Sequence, residues 1–474
     1  MTTLKRVLTL RDLVLFNLVA VIGLRWLATS AKAGPAALVL WALAALLFFV
    51  PQGLAVVELS RRYPDEGGIY AWTKRALGEG HGFLCGWCYW VCNVLYYPNL
   101  LISTAVIATY AFGQGETGLS SSWAYVLSVT LGALWFAVWL NIVGLSTGRW
   151  LQNAGGIGSY IPGVLLILFG LWTITRGVPS ANAWHARDFV PDLTDLSSLN
   201  LWASIAFAFA GLELSATMGE EIERPERTLP RSIFISAPLI ALLYILGTGA
   251  LLWLVPVQDL NIVSGFLQGV ARGARNTAPW LLWLTPFAAF AYTIGNVGGV
   301  GAWLSGPARV AFVIGLDRYF PPAFGKVHSR WGTPYVAILV QAGLATIALL
   351  VSVVGKGTTV ETVYLILLDT QLLIYFIPFV YLFIALIIHR YHERRADAAR
   401  GTASAVVIGG CGAVVTVFAM VIATIPPSGT EHRVLFFVKV VGGAALFLAI
   451  GGWLYWRAER RAISAGVRKP PVAA

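Results

Sequence analysis

Val21-Ile22-Gly23-Leu24-Arg25-Trp26 breaks the first hydrophobic segment of the chain with a glycine and a permanent charge. Arg25 falls about fifteen residues into that segment. A guanidinium at membrane depth is costly unless it is solvated or paired, so an intramembrane arginine marks a functional site by default. A glycine beside it suggests an interrupted helix, a device by which membrane proteins build a ligand site near the bilayer midplane. The plainer alternative is an arginine that snorkels or is paired internally.

The rest of the chain supplies the membrane context. Of 474 residues, 58% are hydrophobic and 12% charged, and the mean hydropathy is +0.74, a balance outside the soluble globular range. Residues 36–57, 83–112, 119–148, 150–175, 232–258, 276–308 and 401–430 contain no Asp, Glu, Lys or Arg. Each is long enough for a spanning helix, and the alternation of a membrane barrel is absent. With weaker segments added, the sequence predicts twelve spans, near 10–31, 36–60, 83–112, 121–143, 152–175, 199–218, 233–256, 280–304, 334–354, 360–388, 403–424 and 434–456. The sixth carries a second interruption at Ala210-Gly211-Leu212, just before Glu213.

Most of the 33 Lys and Arg residues fall on one side of this arrangement. Only Lys32, Arg176, Arg187, Arg272, Arg275, Lys356 and Arg433 fall in outer loops, with Arg25 and Lys439 inside spans. The positive-inside rule then places both termini in the cytoplasm. The net charge of +11 is a topology and lipid-contact signal, with no case for nucleic acid. The first apolar stretch has no small-residue cleavage site and runs into a second span, so no signal peptide is expected. Cys85, Cys88 and Cys92 share one helical face, but every histidine falls in a loop or at a helix end, and buried packing residues are the expected reading. No metal or cofactor is implied. Nucleotide loops, His-Glu-x-x-His helices and serine elbows are missing, and nothing resembles an enzyme.

The cytoplasmic loops are more specific. Phe49-Val50-Pro51-Gln52-Gly53-Leu54 leads to Pro64-Asp65-Glu66-Gly67-Gly68-Ile69-Tyr70-Ala71-Trp72; Glu221-Ile222-Glu223-Arg224-Pro225-Glu226-Arg227-Thr228-Leu229-Pro230-Arg231 follows span 6; Gly332-Thr333-Pro334 opens span 9. From Leu10 to about Arg390 the chain resembles the amino acid–polyamine–organocation superfamily, and within it the bacterial glutamate/γ-aminobutyrate and arginine/agmatine antiporters. The resemblance implies an all-α membrane protein with a five-plus-five inverted repeat of the LeuT type, broken helices 1 and 6, and two peripheral helices. One integral membrane domain would then occupy 1–474. It would comprise the core over 10–388, a cytoplasmic loop over 389–402, helices 11 and 12 within 403–456 and a tail over 457–474.

The resemblance also implies a site. Family members usually read Gly-Ser-Gly at the first break and hold the substrate carboxylate on its bare amides, as helix N-termini do. The matching residues are Val21, Ile22 and Gly23, so one glycine survives. Arg25 stands where an apolar or aromatic residue is usual and would replace part of the lost anion site, since arginine grips a carboxylate bidentately. The competing expectation is an internal pair of Arg25 with Glu213 or Asp369. Phe207 matches an aromatic gate, Trp303 a substrate-facing tryptophan and Asn93 a polar contact. Ala210 and Gly211 match the second break. Glu213, just beyond it, and Asp369, roughly 15 Å into span 10 at 1.5 Å per residue, are the candidates for ion or proton coupling. Ser159 replaces a lysine that stands in for sodium in some members, which favours exchange over lysine-gated symport.

The sequence thus points to secondary active transport of amino acids or related amines in the cytoplasmic membrane, by alternating access and exchange, with a bias to acidic substrates such as glutamate. The alternatives are a proton-coupled importer of neutral amino acids and a non-transporting nutrient sensor. The expected partners are a small-molecule substrate and the lipid bilayer. Residues 113–121 lack the cysteine that would join a heavy chain, and a homo-oligomer stays open.

Overall fold

Thr9 opens the first helix with a capping box: its backbone N–H donates to Asp12 at 3.0 Å, while its hydroxyl stands over the Asp12 amide. The computed structural model describes residues 6–464 except 114, 116, 117, 192–195, 354–359, 394–398 and 426–432; it also leaves out the side chains at 145–147, 196–200, 352–353, 360–367, 369, 393, 399–402, 433, 435 and 436. In chain order the helices are α1 Leu10–Val21, α2 Arg25–Ala31, α3 Ala36–Ala44, α4 Val50–Arg62, α5 Ile69–Leu77, α6 Glu79–Ala111, α7 Trp123–Val143 and α8 Leu145–Thr175. They continue with α9 Leu196–Ala208, α10 Pro225–Leu254, α11 Gly265–Thr277, α12 Leu284–Leu316, α13 Tyr335–Val353, α14 Val360–Glu393, α15 Ala399–Ala423 and α16 Arg433–Ser464. A π-turn over Ala45–Phe49 joins α3 to α4 as one 27-residue span. No β-strand occurs among the described residues, only two isolated bridges.

Nine helices among the described residues are long and apolar enough to cross a membrane, and the α1–α2 pair, bent by 43°, makes a tenth. The sequence predicts twelve. The segment expected at 199–218 falls short, because α9 has 13 residues; that expected at 334–354 forms α13, Tyr335–Val353, of which Tyr335–Val351 is the fully described apolar part. Several helices outrun their hydrophobic windows at polar ends, as α8 and α10 do, since charged side chains end the apolar pattern before they end the helix. Two amphipathic helices, α5 and α11, lie in segments read as loops.

The core is held together by close approach. On α12, a Cβ at Gly298 would lie 2.7 Å from the Gly155 Cα of α8. One at Gly158 would lie 2.4 Å from the Ala291 carbonyl, and one at Gly295 2.5 Å from the Ser159 hydroxyl. Missing side chains let two long helices touch backbone to backbone, as in other membrane helix pairs. That seam fixes where α12 presents its next turns to the centre of the bundle.

Candidate functional site

Both predicted interruptions are real, and they meet. After α1 the chain turns extended at Ile22 (ψ 115°), passes through Gly23 and resumes at Arg25. After α9 it passes through Ala210, takes φ 134° at Gly211, and continues as a 3-10 turn over Leu212–Thr217. Only glycine adopts that φ freely. A Cβ there would also press on Val21 at 3.0 Å.

Tyrosines satisfy the freed main chain. The Gly23 N–H donates to the Tyr244 hydroxyl at 3.0 Å and the Leu24 N–H to the Tyr292 hydroxyl at 2.7 Å. Tyr244 in turn has one hydroxyl proton to share between the carbonyls of Val21 (2.7 Å) and Ala208 (3.1 Å), so one side chain of α10 reaches both breaks. The Trp303 indole N–H donates to the Ala20 carbonyl at 3.0 Å. Neither tyrosine was legible as a site residue, because a tyrosine in an apolar run looks like core.

Between the breaks lies a cavity of about 30 Å³, room for one or two waters. Ile22, Gly23, Arg25, Asn93, Phe207, Ala210 and Trp303 line it. Gly211 sits behind the wall, against Val21 and Trp303. Tyr375 of α14 meets Phe207 at 5.6 Å and Trp303 at 5.5 Å between ring centroids, closing an aromatic collar. Asn93 turns its amide back to the Tyr89 carbonyl at 2.8 Å. Arg25 is 2% exposed, with Nη1 3.4 Å from the Ser103 hydroxyl and its guanidinium carbon 4.9 Å from the Trp26 ring centre. No acidic side chain appears among the described lining residues.

Glu213 corrects one expectation. It is fully buried, does not line the cavity, and accepts from Gln52 (2.8 Å), Tyr375 (2.6 Å), Tyr89 (3.2 Å) and the Gly211 amide (3.1 Å). An Arg25–Glu213 pair is therefore absent: four neutral donors already fill the carboxylate's lone pairs, so it needs no cation. The side chain of Asp369 lies outside the described residues, and so does the Arg25–Asp369 alternative.

Below the cavity, the Gly-Gly loop explains its own sequence. Gly67 donates its amide to the Thr217 carbonyl at 3.0 Å, and a Cβ on Gly68 (φ 41°) would lie 2.9 Å from the Ala216 carbonyl. The loop can reach the turn after the second break only without side chains. It carries Glu66 to Arg309 of α12 at 3.5 Å, and Arg309 also grips Glu221 through two nitrogens, Nη2 at 3.0 Å. All three are buried. Burial and the neighbouring Glu221 charge push the Glu66 carboxyl well above the usual range, against the pull of Arg309. The sequence reading passed over Arg309. The segment before α1 adds to these contacts, with Val7 and Leu8 donating to the Glu221 carbonyl at 2.9 and 3.1 Å.

Residues 8–446 match the amino acid permease family. The chain belongs to that family. Members are transporters and not enzymes, and so is this permease. An uncharacterized transporter of Legionella pneumophila is 30% identical to it over 458 residues, covering 95% of this chain and 97% of the relative. A glutamate/γ-aminobutyrate antiporter of Lactococcus lactis is 23% identical, covering 81% of the permease and 77% of that protein. The crystal structure of MhsT in complex with L-phenylalanine matches with a TM-score of 0.62 at 16% identity, over 89% of the permease and 100% of that chain. This last likeness is one of fold, and it agrees with the LeuT type expected from the sequence.

Proposed function

We propose that this permease exchanges amino acids across the cytoplasmic membrane by alternating access, with a preference for acidic substrates such as glutamate. The observation that carries the preference is Arg25, a buried cation in the cavity wall. A guanidinium so placed suits the extra carboxylate of an acidic amino acid, and it disfavours a dicationic amine. The Lactococcus relative, a glutamate/γ-aminobutyrate antiporter, is consistent with this.

Alternating access is supported by the cavity itself. At about 30 Å³ it holds no amino acid, so the wall has to move for a substrate to enter. Glu213 is a coupling candidate, since its four donors come from α4, α6, α14 and the second break, and a change in its charge would act on all of them. Asp369 is the second candidate. The frame we propose around this site has twelve spans in a five-plus-five inverted repeat with two peripheral helices, and both termini in the cytoplasm.

Counterflow in proteoliposomes tests the reading. Vesicles preloaded with unlabelled L-glutamate should accumulate labelled L-glutamate faster than vesicles preloaded with L-serine accumulate labelled L-serine. Binding without flux would mark a sensor. Uptake of neutral amino acids that needs a proton gradient would instead mark an importer.

A further inference from the structure

Two side-chain amides in the cavity wall leave hydrogen-bonding capacity unused. Asn296 on α12 and Gln371 on α14 both line the cavity, and they are 4% and 3% exposed. Asn296 Nδ2 and Gln371 Oε1 are buried with no hydrogen-bond partner among the described residues. Unpaired polar atoms in an interior are unfavourable, and native structures keep few of them without a reason. The surrounding main chain has little left to offer an occupant. The Gly23 and Leu24 amides are taken by Tyr244 and Tyr292, and the Ala20 carbonyl accepts from Trp303.

We propose that Asn296 and Gln371 read the charged head of the substrate, taking over the part that bare backbone plays at an unsealed break. Asn296 Nδ2 donates to the α-carboxylate and Gln371 Oε1 accepts from the ammonium, while Arg25 is kept for the extra carboxylate of an acidic substrate. The substrate class is therefore a zwitterion carrying both groups, an amino acid in preference to a diamine. This inference rests on the transport reading above and names which side chains give it its specificity.

The test replaces each amide by an apolar group of similar size, in the full chain reconstituted in proteoliposomes. Asn296→Leu and Gln371→Met should each raise the KM for counterflow of L-glutamate or L-serine, whichever the wild type moves, about tenfold or more. The maximal rate should change less than about threefold, the pattern of lost binding that is uniform through the cycle. The melting temperature of the ligand-free protein should stay level or rise, because an orphaned polar atom has been removed. If Asn296→Leu does not fold, Asn296→Ser carries the same test. Unchanged KM values in both variants would overturn the proposal and leave the transport reading intact. A fall in melting temperature with unchanged KM would show that the amides are structural, which also overturns it. Wild-type counterflow of putrescine without either amino acid would overturn the substrate class. No wild-type counterflow of any of the three would sink the transport reading and this proposal with it.

Discussion

The Tyr244 hydroxyl stands 3.0 Å from the Gly23 amide nitrogen and 2.7 Å from the Val21 carbonyl, closing the first break like a clasp. Because the same oxygen reaches the Ala208 carbonyl at 3.1 Å, the two half-helices cannot separate without breaking it. Tyr244→Phe should destabilise the protein by about 1–3 kcal/mol, the usual result of orphaning a buried backbone group. It should also free the Gly23 N–H for a carboxylate. Melting curves with and without L-glutamate check both effects: the ligand-free midpoint should fall, and the ligand-induced rise should be larger than in the wild type.

The shell around Glu213 makes an ordered prediction. Tyr375 donates at 2.6 Å and Tyr89 at 3.2 Å, so Tyr375→Phe should cost more stability than Tyr89→Phe. Glu213→Gln should exceed the Tyr89 change, at about 1–3 kcal/mol, because its new amide donor faces donors already in place. Melting of the three purified variants gives the ranking. Equal effects would mean that the four contacts are not the support they look to be.

Arg309 holds the two buried carboxyl groups of Glu66 and Glu221 beside the Gly-Gly loop. Removing it as Arg309→Met strands the Glu221 carboxylate and takes a partner from Glu66, and should cost about 3–5 kcal/mol. Glu66 adds a pH dependence of definite sign. Its carboxyl is raised by burial and by Glu221, so the folded chain keeps a proton that the unfolded chain releases in the ordinary carboxylate range. Stability then falls as pH rises from about 4 towards the raised value. Glu66→Gln should flatten that slope, and melting midpoints taken across the acid to neutral range will show it.

Much of this architecture was legible in the sequence because the membrane imposes one strong rule, that apolar length equals a span. Gly23 and Gly211 were readable because a break needs a residue that tolerates it, and Phe207 and Trp303 through the family resemblance. Tyr244, Tyr292, Asn296 and Gln371 were not. Their importance comes from which backbone or cavity they meet across the bundle, and residues 221 positions apart, such as Gly23 and Tyr244, leave no local trace of their contact. Span 6 was overlong in the sequence reading because its apolar pattern continues through the 3-10 turn after Gly211, although the α-helix does not.

Arg25 is the sharpest case left to decide. Its pairing with Glu213 is removed by the four donors on that carboxylate, so two readings remain, a substrate carboxylate or Asp369. If Arg25 reads substrate, Arg25→Lys should weaken glutamate counterflow about tenfold or more, because a lysine cannot reproduce the bidentate grip. Arg25→Met should then erase the preference for acidic over neutral substrates, with folding close to normal. If Arg25 serves Asp369, the same methionine should destabilise by about 3–5 kcal/mol by stranding a buried charge. Adding Asp369→Asn should then restore the melting temperature. Measuring the two single variants and the double variant by melting and by competition counterflow separates the readings. Rescue of stability with unchanged substrate preference would remove the case for an acidic substrate, whereas lost preference without lost stability would establish Arg25 as the residue that reads it.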